Sequence, residues 1–216
     1  MKDMLGTLIR KIVDLPLETL GTLCDLVEKL LSETGQSWLV ELRKFLRKEK
    51  CWTGIVKDIF LNLISAGHLL VIDACDGVEV IAGSDDMFEA GIDSDFKDYK
   101  ADELGQATGE TPVEVYEMTK DGTFTQLFGS LSGDISKLCL TQAQIKGFVR
   151  KYKSWLRTDG YGTFFLFKSH GHFFVARVGV NSDGRLGVGV LRFEDDYVWD
   201  AEYRHRIVVP RLAETL

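Results

Sequence analysis

Proline is scarce in this chain, with three in 216 residues, and cysteine is little commoner, with four. Cys24, Cys51, Cys75 and Cys139 are scattered and form no C-x-x-C pair. That argues against both a disulfide framework and a zinc knuckle. No apolar run reaches the roughly 18 residues that a bilayer span needs. The longest candidate, Ile59 to Ile72, is interrupted by Asn62, Ser65 and His68. A secretory pattern is lacking too, because Asp3 and Asp14 flank a helix-like repeat rather than a plain apolar run. The cytoplasm is therefore the expected compartment. There is no P-loop, helix-turn-helix or RNP-type glycine-aromatic motif, no internal repeat and no low-complexity tract. No cofactor is expected.

What the chain does have is apolar and aromatic bulk, 45% and 11% of its residues. That suffices for one domain of moderate size or two small ones. The most informative stretch runs from Trp155 to Pro210. Three apolar runs there are separated by His170-Gly171 and Asp183-Gly184, the pattern of an antiparallel β-meander. Two-residue loops would pair Phe167 with Phe174, Phe165 with Ala176 and Thr163 with Val178. They would also pair Val180 with Gly187, Val178 with Gly189 and Ala176 with Leu191. One face then collects Phe165, Phe167, Phe174, Ala176, Val178, Val180, Leu191 and Phe193. A one-residue slip in either turn would exchange the assignments beyond it. The expected cover is a helix over Thr141–Leu156, with Ile145, Phe148, Val149 and Tyr152 at helical spacing and a Thr141/Gln144 capping box.

Charge is unevenly laid out. Residues 1–72 carry a net +1, residues 73–134 a net −13 and residues 135–216 a net +5, for −7 in all. One consequence is intramolecular complementarity, with the acidic middle wrapping the basic end. The first fifty residues read as three helices: one around Leu5–Ile12, one after Pro16 running to Ser32, and one around Trp38–Leu46 after a break at Gly35. Arg43, Lys44, Arg47, Lys48 and Lys50 crowd the end of the third. Cations there complement the helix dipole, or they form a docking face for an acidic partner, an anionic lipid or nucleic acid. Between Cys51 and Lys120 the expected elements are a helix over Trp52–Ile64, strands at Leu69–Asp73, Val78–Ala82 and Val113–Met118, and a short helix from Ser84. A loop or linker is expected at Lys100–Pro112, followed by a helical turn at Thr123–Gly129.

Four constellations bear on chemistry. Asp93, Asp95 and Asp98 could offer oxygen ligands to a divalent cation, the basis of a metal-dependent enzyme reading. The EF-hand glycine and terminal Glu are missing, and a solvated acidic loop is the simpler account. His170 and His172 flank a turn glycine, as exposed tip residues or as a metal pair. Cys139 precedes a helix, where a thiolate can be activated, yet Leu138-Cys139-Leu140 also reads as a buried apolar triplet. Phe164, Lys168, Phe173, Arg177 and Arg192 would share the mixed sheet face. That is a stacking platform for single-stranded nucleic acid, unless a second layer, such as the N-terminal helices, covers it. The net acidity disfavours nucleic acid as partner.

FLRKEKCW at Phe45–Trp52 resembles an N-terminal segment, FLRKE-x-x-W, of an uncharacterised family from reduced-genome candidate-phylum bacteria, where it precedes dissimilar C-terminal regions. Ile92–Lys97, Val115–Met118, Leu138–Ile145, Trp155–Phe167, Phe173–Val178 and Trp199–Pro210 are similar to one group within it. The family has no known activity. The resemblance implies modularity, with a helical docking or addressing segment ahead of a separate body.

The expected protein is thus α+β, with an N-terminal helical region and an antiparallel β-meander body with a packed helix. Its segments are a helical docking segment at 1–50, an acidic mixed region at 51–134 and a helix plus meander at 135–212, the last two forming one body. The expected function is a non-catalytic interaction module for an unknown protein partner. The expected contact residues are Arg43, Arg47 and Lys48 on the helix. Arg157, Asp159 and Tyr161 join them at the helix-to-sheet junction, where glycines flanking Tyr161 leave its ring accessible.

Overall fold

The computed structural model describes residues 6, 16–32, 35–49 and 59–212. The chain divides into two compact units, residues 1–57 and 58–216. The expected first helix, the Trp52 end of the expected fourth helix and Cys51 lie outside the described residues.

In the first unit, α1 spans Leu17–Leu31 and α2 spans Gly35–Leu46. Pro16 sits just ahead of α1, with no donor for the helix to leave unsatisfied. Gly35 does not merely break the helical pattern. It is the buried first residue of α2, and a Cβ there would lie 2.0 Å from the Leu30 carbonyl oxygen. Leu20, Leu23, Leu26 and Leu30 form one half-buried stripe at helical spacing along α1.

The body is α+β, built on one mixed sheet. Its strands are β1 (Leu61–Leu63), β2 (Leu70–Ile72), β3 (Gly91–Ile92), β4 (Thr111–Met118), β5 (Gly162–Ser169), β6 (His172–Val180), β7 (Leu186–Arg192) and β8 (Arg206–Pro210). Their order is β1-β4-β8-β5-β6-β7-β3, with β2 also pairing β4. The expected antiparallel meander is present as β5-β6-β7, but it does not describe the sheet. β8 returns beside β5 in parallel, and β3 lies parallel to β7.

The first hairpin has the expected register, with Phe167 opposite Phe174 and Thr163 opposite Val178. His170 and Gly171 both have positive φ, 46° and 85°, as a two-residue type I′ turn requires. The second hairpin is slipped by one residue, because Val180 pairs with Leu186 and Ala176 with Val190. Only Gly184 of that loop has positive φ, at 83°. Asn181 N–H bonds to the Arg185 carbonyl, closing a three-residue loop instead of a two-residue one. The extra residue turns β7 over. Leu186, Val188 and Val190 join Phe165, Phe167, Phe174 and Ala176, while Phe193 goes to the opposite core.

Both faces of the sheet are covered. On the first lie α5 (Gln142–Lys151), contributing Ile145, Phe148 and Val149, and Phe96 from the one-turn α3 (Asp95–Asp98). On the second lies α4 (Phe124–Leu131), whose Phe124, Leu127 and Phe128 pack with Phe164, Leu166, Val175 and Ile207. The second layer therefore comes from the body itself. Burial on both faces accounts for the nearly continuous apolar run of β5. Both helices start with a Thr/Gln capping box, Thr123/Gln126 and Thr141/Gln144. The Trp52–Ile64 expectation fails where it is described, since Leu61–Leu63 is a strand. Val78–Ala82 is not a strand, but leads into a 3-10 turn at Ile81–Gly83, and Ser84 opens a turn rather than a helix. Lys100–Pro112 is no linker, because Ala101 is fully buried and Gln142 bonds to the Glu103 carbonyl.

The charge layout is matched internally. Glu79 meets Lys146 at 2.5 Å and Arg150 at 3.2 Å, and Asp73 meets Lys151 at 2.5 Å. Glu114 pairs with Arg211 at 3.2 Å. The exposed pairs among them contribute little to stability, because solvent screens them. Their common feature is that acidic-middle residues face basic-end residues.

Candidate functional site at the helix-to-sheet junction

After α5 a 3-10 turn at Lys153–Trp155 leads to Leu156, and the chain then reverses into β5. Asp159 and Gly160 make the reversal with φ of 63° and 78°. The Arg157 N–H donates to Thr163 Oγ1 at 2.7 Å, which fixes the bend against β5. The three expected junction residues meet here. The Arg157 guanidinium lies 5.2 Å over the Tyr161 ring and 4.0 Å from the Asp159 carboxylate.

Residues from the far end of the chain complete the cluster. Tyr203 stacks on Tyr161 with centroids 4.9 Å apart and planes 14° from parallel. Arg157 Nε donates to the Tyr203 carbonyl at 3.1 Å. Beneath them His205 is 2% exposed and receives the Gly162 N–H on Nδ1 at 3.0 Å. The same Nδ1 lies 3.3 Å from the Gly162 carbonyl, so the ring nitrogen meets both backbone groups of Gly162, and the tautomer decides which bond forms. Burial depresses the His205 pKa, the hydrogen bond to the Gly162 backbone opposes it, and the neighbouring Arg177 and Arg157 charges add to the depression. The imidazole is thus neutral near neutral pH and packed under rings, stacked on Phe164 at 5.0 Å and edge-on to Trp199 at 5.1 Å. It pins the Gly162 backbone.

Two further guanidinium groups brace the junction. Arg177 Nη2 donates to the Gly160 carbonyl at 3.0 Å, and Arg206 Nη1 to the Trp155 carbonyl at 2.9 Å. Among the described residues, the buried Nε atoms of both and Trp199 Nε1 have no hydrogen-bond acceptor, and Arg206 Nε lies 3.9 Å from the Glu117 carboxylate. A Cβ on Gly162 would lie 2.7 Å from Arg177 Cγ, so the close approach requires glycine.

The other candidates are placed differently. Asp93 accepts the Asp95 N–H at 3.1 Å, Asp95 accepts the Tyr99 hydroxyl, and Asp98 ends α3. Asp93 lines a cavity of about 260 Å³ with Asp85, Phe96 and Lys97, to which neither Tyr161 nor Arg157 contributes. Among the described residues, no group of three His, Cys, Asp or Glu side chains is arranged to hold a metal ion. His170 sits at the hairpin tip, 3.8 Å from Glu103. Burial pushes the Cys139 thiol up to about 11, which removes the activated-thiolate reading.

The stacking platform is corrected by the register and the second layer. Phe164 is fully buried between Phe124 and Trp199, so its ring offers no surface to a base. Arg192 lies on the opposite face, 4.6 Å over the Tyr99 ring. Lys168 lies 5.5 Å over Phe173, and Arg177 is engaged at the junction.

On α2, Arg43 is exposed; Arg47 and Lys48, expected on the helix, lie in the turn just past its end, Lys48 with φ of 58°, and Arg47 pairs with Glu49 at 2.6 Å. Val40 and Arg43 follow at helical spacing. Val40 is 43% exposed, Phe45 60% and Leu46 72%. On α1, Val27 and Leu31 are 47% and 81% exposed.

A scan against protein-family models finds no match, and searches of curated proteins and of solved structures find no significant match. No helix among the described residues is long and apolar enough to cross a membrane.

Proposed function

We propose that the chain is a non-catalytic, cytoplasmic protein-interaction module. In this reading α1 and α2 dock to a protein partner, and the body presents the Arg157–Asp159–Tyr161 junction. The observation that carries it is the exposure of large apolar side chains on the short helical unit, with Phe45 and Leu46 next in sequence to the cations Arg43, Arg47 and Lys48. Exposed apolar groups rimmed by charge are the composition of a docking face. The cations call for a partner surface carrying carboxylates. The Arg47–Glu49 pair is exposed and exchanges readily for such a partner. The resemblance of the Phe45–Trp52 segment to one that recurs before unlike bodies supports the same role.

Photo-crosslinking tests this reading. A benzoylphenylalanine placed at Val40 or Phe45 is expected to give discrete adducts in cells, and one placed at the buried Leu166 is expected to give none. Equal labelling from both positions, or none from the helix, contradicts the docking role.

A further inference from the structure

The connection between β7 and β8 forms a second face of matching chemistry. Tyr197 is 64% exposed, Val198 56% and Tyr203 42%. Around them Glu194, Asp195, Asp196, Asp200 and Glu202 are all exposed, and Arg204 is the one cation of residues 194–204. The segment is held in place. Trp199 and Gly122 exchange backbone hydrogen bonds of 3.0 and 3.2 Å, and the Ala201 N–H donates to Asp121 at 2.8 Å. Tyr197 rests edge-on against Trp199 at 4.8 Å. Apolar rings fixed in this way bind at little ordering cost.

We propose that this acidic, aromatic face docks the basic end of α2 from a second copy of the chain. The proposal rests on the reading of the helical unit as a docking element, and it names the partner. Charge complementarity carries it. Phe45 and Leu46 are exposed apolar groups set among Arg43, Lys44, Arg47 and Lys48, and Tyr197 and Val198 are exposed apolar groups set in sequence among Glu194, Asp195, Asp196 and Asp200. Arginine over tyrosine is a contact this chain already makes, Arg157 on Tyr161 at 5.2 Å. The two faces differ, so the contact is head-to-tail, and association continues beyond a dimer unless a ring closes. Small, charge-rimmed patches give transient, salt-sensitive contacts.

Sedimentation velocity of the full chain over a wide concentration range, at low and high salt, tests it. The sedimentation coefficient is expected to rise with concentration at low salt and to fall back at high salt. Glu194→Lys with Asp196→Lys should weaken association by roughly tenfold or more, and Arg43→Glu with Arg47→Glu likewise. Combining the two charge reversals should restore it. Tyr197→Ala should weaken association while leaving the melting temperature unchanged. A chain that stays monomeric at every concentration overturns the proposal, whatever the crosslinking from Val40 and Phe45 shows. Association lost on Arg43→Glu with Arg47→Glu, but indifferent to the loop reversal, retains helical docking and overturns the loop as its seat.

Discussion

Replacing Phe164 by Ala separates a two-sided core from an open sheet face. The ring has no exposure and lies 4.7 Å from Trp199, 5.0 Å from His205 and 5.2 Å from Phe124. Truncating a buried Phe costs about 3–5 kcal/mol, from lost transfer energy and the cavity left behind. An unfolding entropy near 2.1 cal/mol/K per residue gives the body of residues 58–216 about 0.33 kcal/mol/K. The melting temperature should therefore fall by about 9–15 °C. Were the ring on a solvated face, the cost would be about 0.5 kcal/mol and the fall about 1–2 °C. Scanning calorimetry reads the difference, with Tyr197→Ala, at 64% exposure, as the aromatic control. A fall no larger than that of the control would refute the covered second face.

His205 makes the body sensitive to acid. Its folded pKa lies below the unfolded value, so its contribution is complete above about pH 6.5 and is lost as pH falls through the folded value. His205→Asn retains an acceptor for the Gly162 N–H, and should flatten that part of the curve of melting temperature against pH; an unchanged slope would remove His205 as its source. The half-buried Cys139 thiol, at about 11, should react with iodoacetamide at pH 8 more slowly than the exposed Cys24, as read by peptide mass spectrometry. Equal labelling in the native protein would contradict its burial.

The sequence carried the first hairpin because His170-Gly171 has one common use, a two-residue turn with both residues at positive φ. Asp183-Gly184 is ambiguous. The same dipeptide closes a three-residue loop when only the glycine adopts positive φ, and one residue then reverses every side chain of β7. The alternation of Leu186, Val188 and Val190 with Gly187 and Gly189 is the signal that fixes the register found. The α5 capping box was legible at Thr141/Gln144, and the identical box at Thr123/Gln126 marks the helix that covers the second face. Parallel pairing of β8 with β5 leaves no local mark, because its partners are separated by the whole meander. For the same reason Arg157, Asp159 and Tyr161, neighbours in sequence, could be grouped. Tyr203 and His205 could not, since the return of β8 brings them to the junction.

If α1 and α2 serve docking, the body of residues 58–216 folds without them. Scanning calorimetry of residues 58–216 against the full chain tests this most directly. The account predicts one cooperative transition for the shorter chain, with a melting temperature within a few degrees of the full chain's main transition. Loss of cooperative unfolding would show that α1 and α2 are part of the core, and it would contradict the docking role assigned to them.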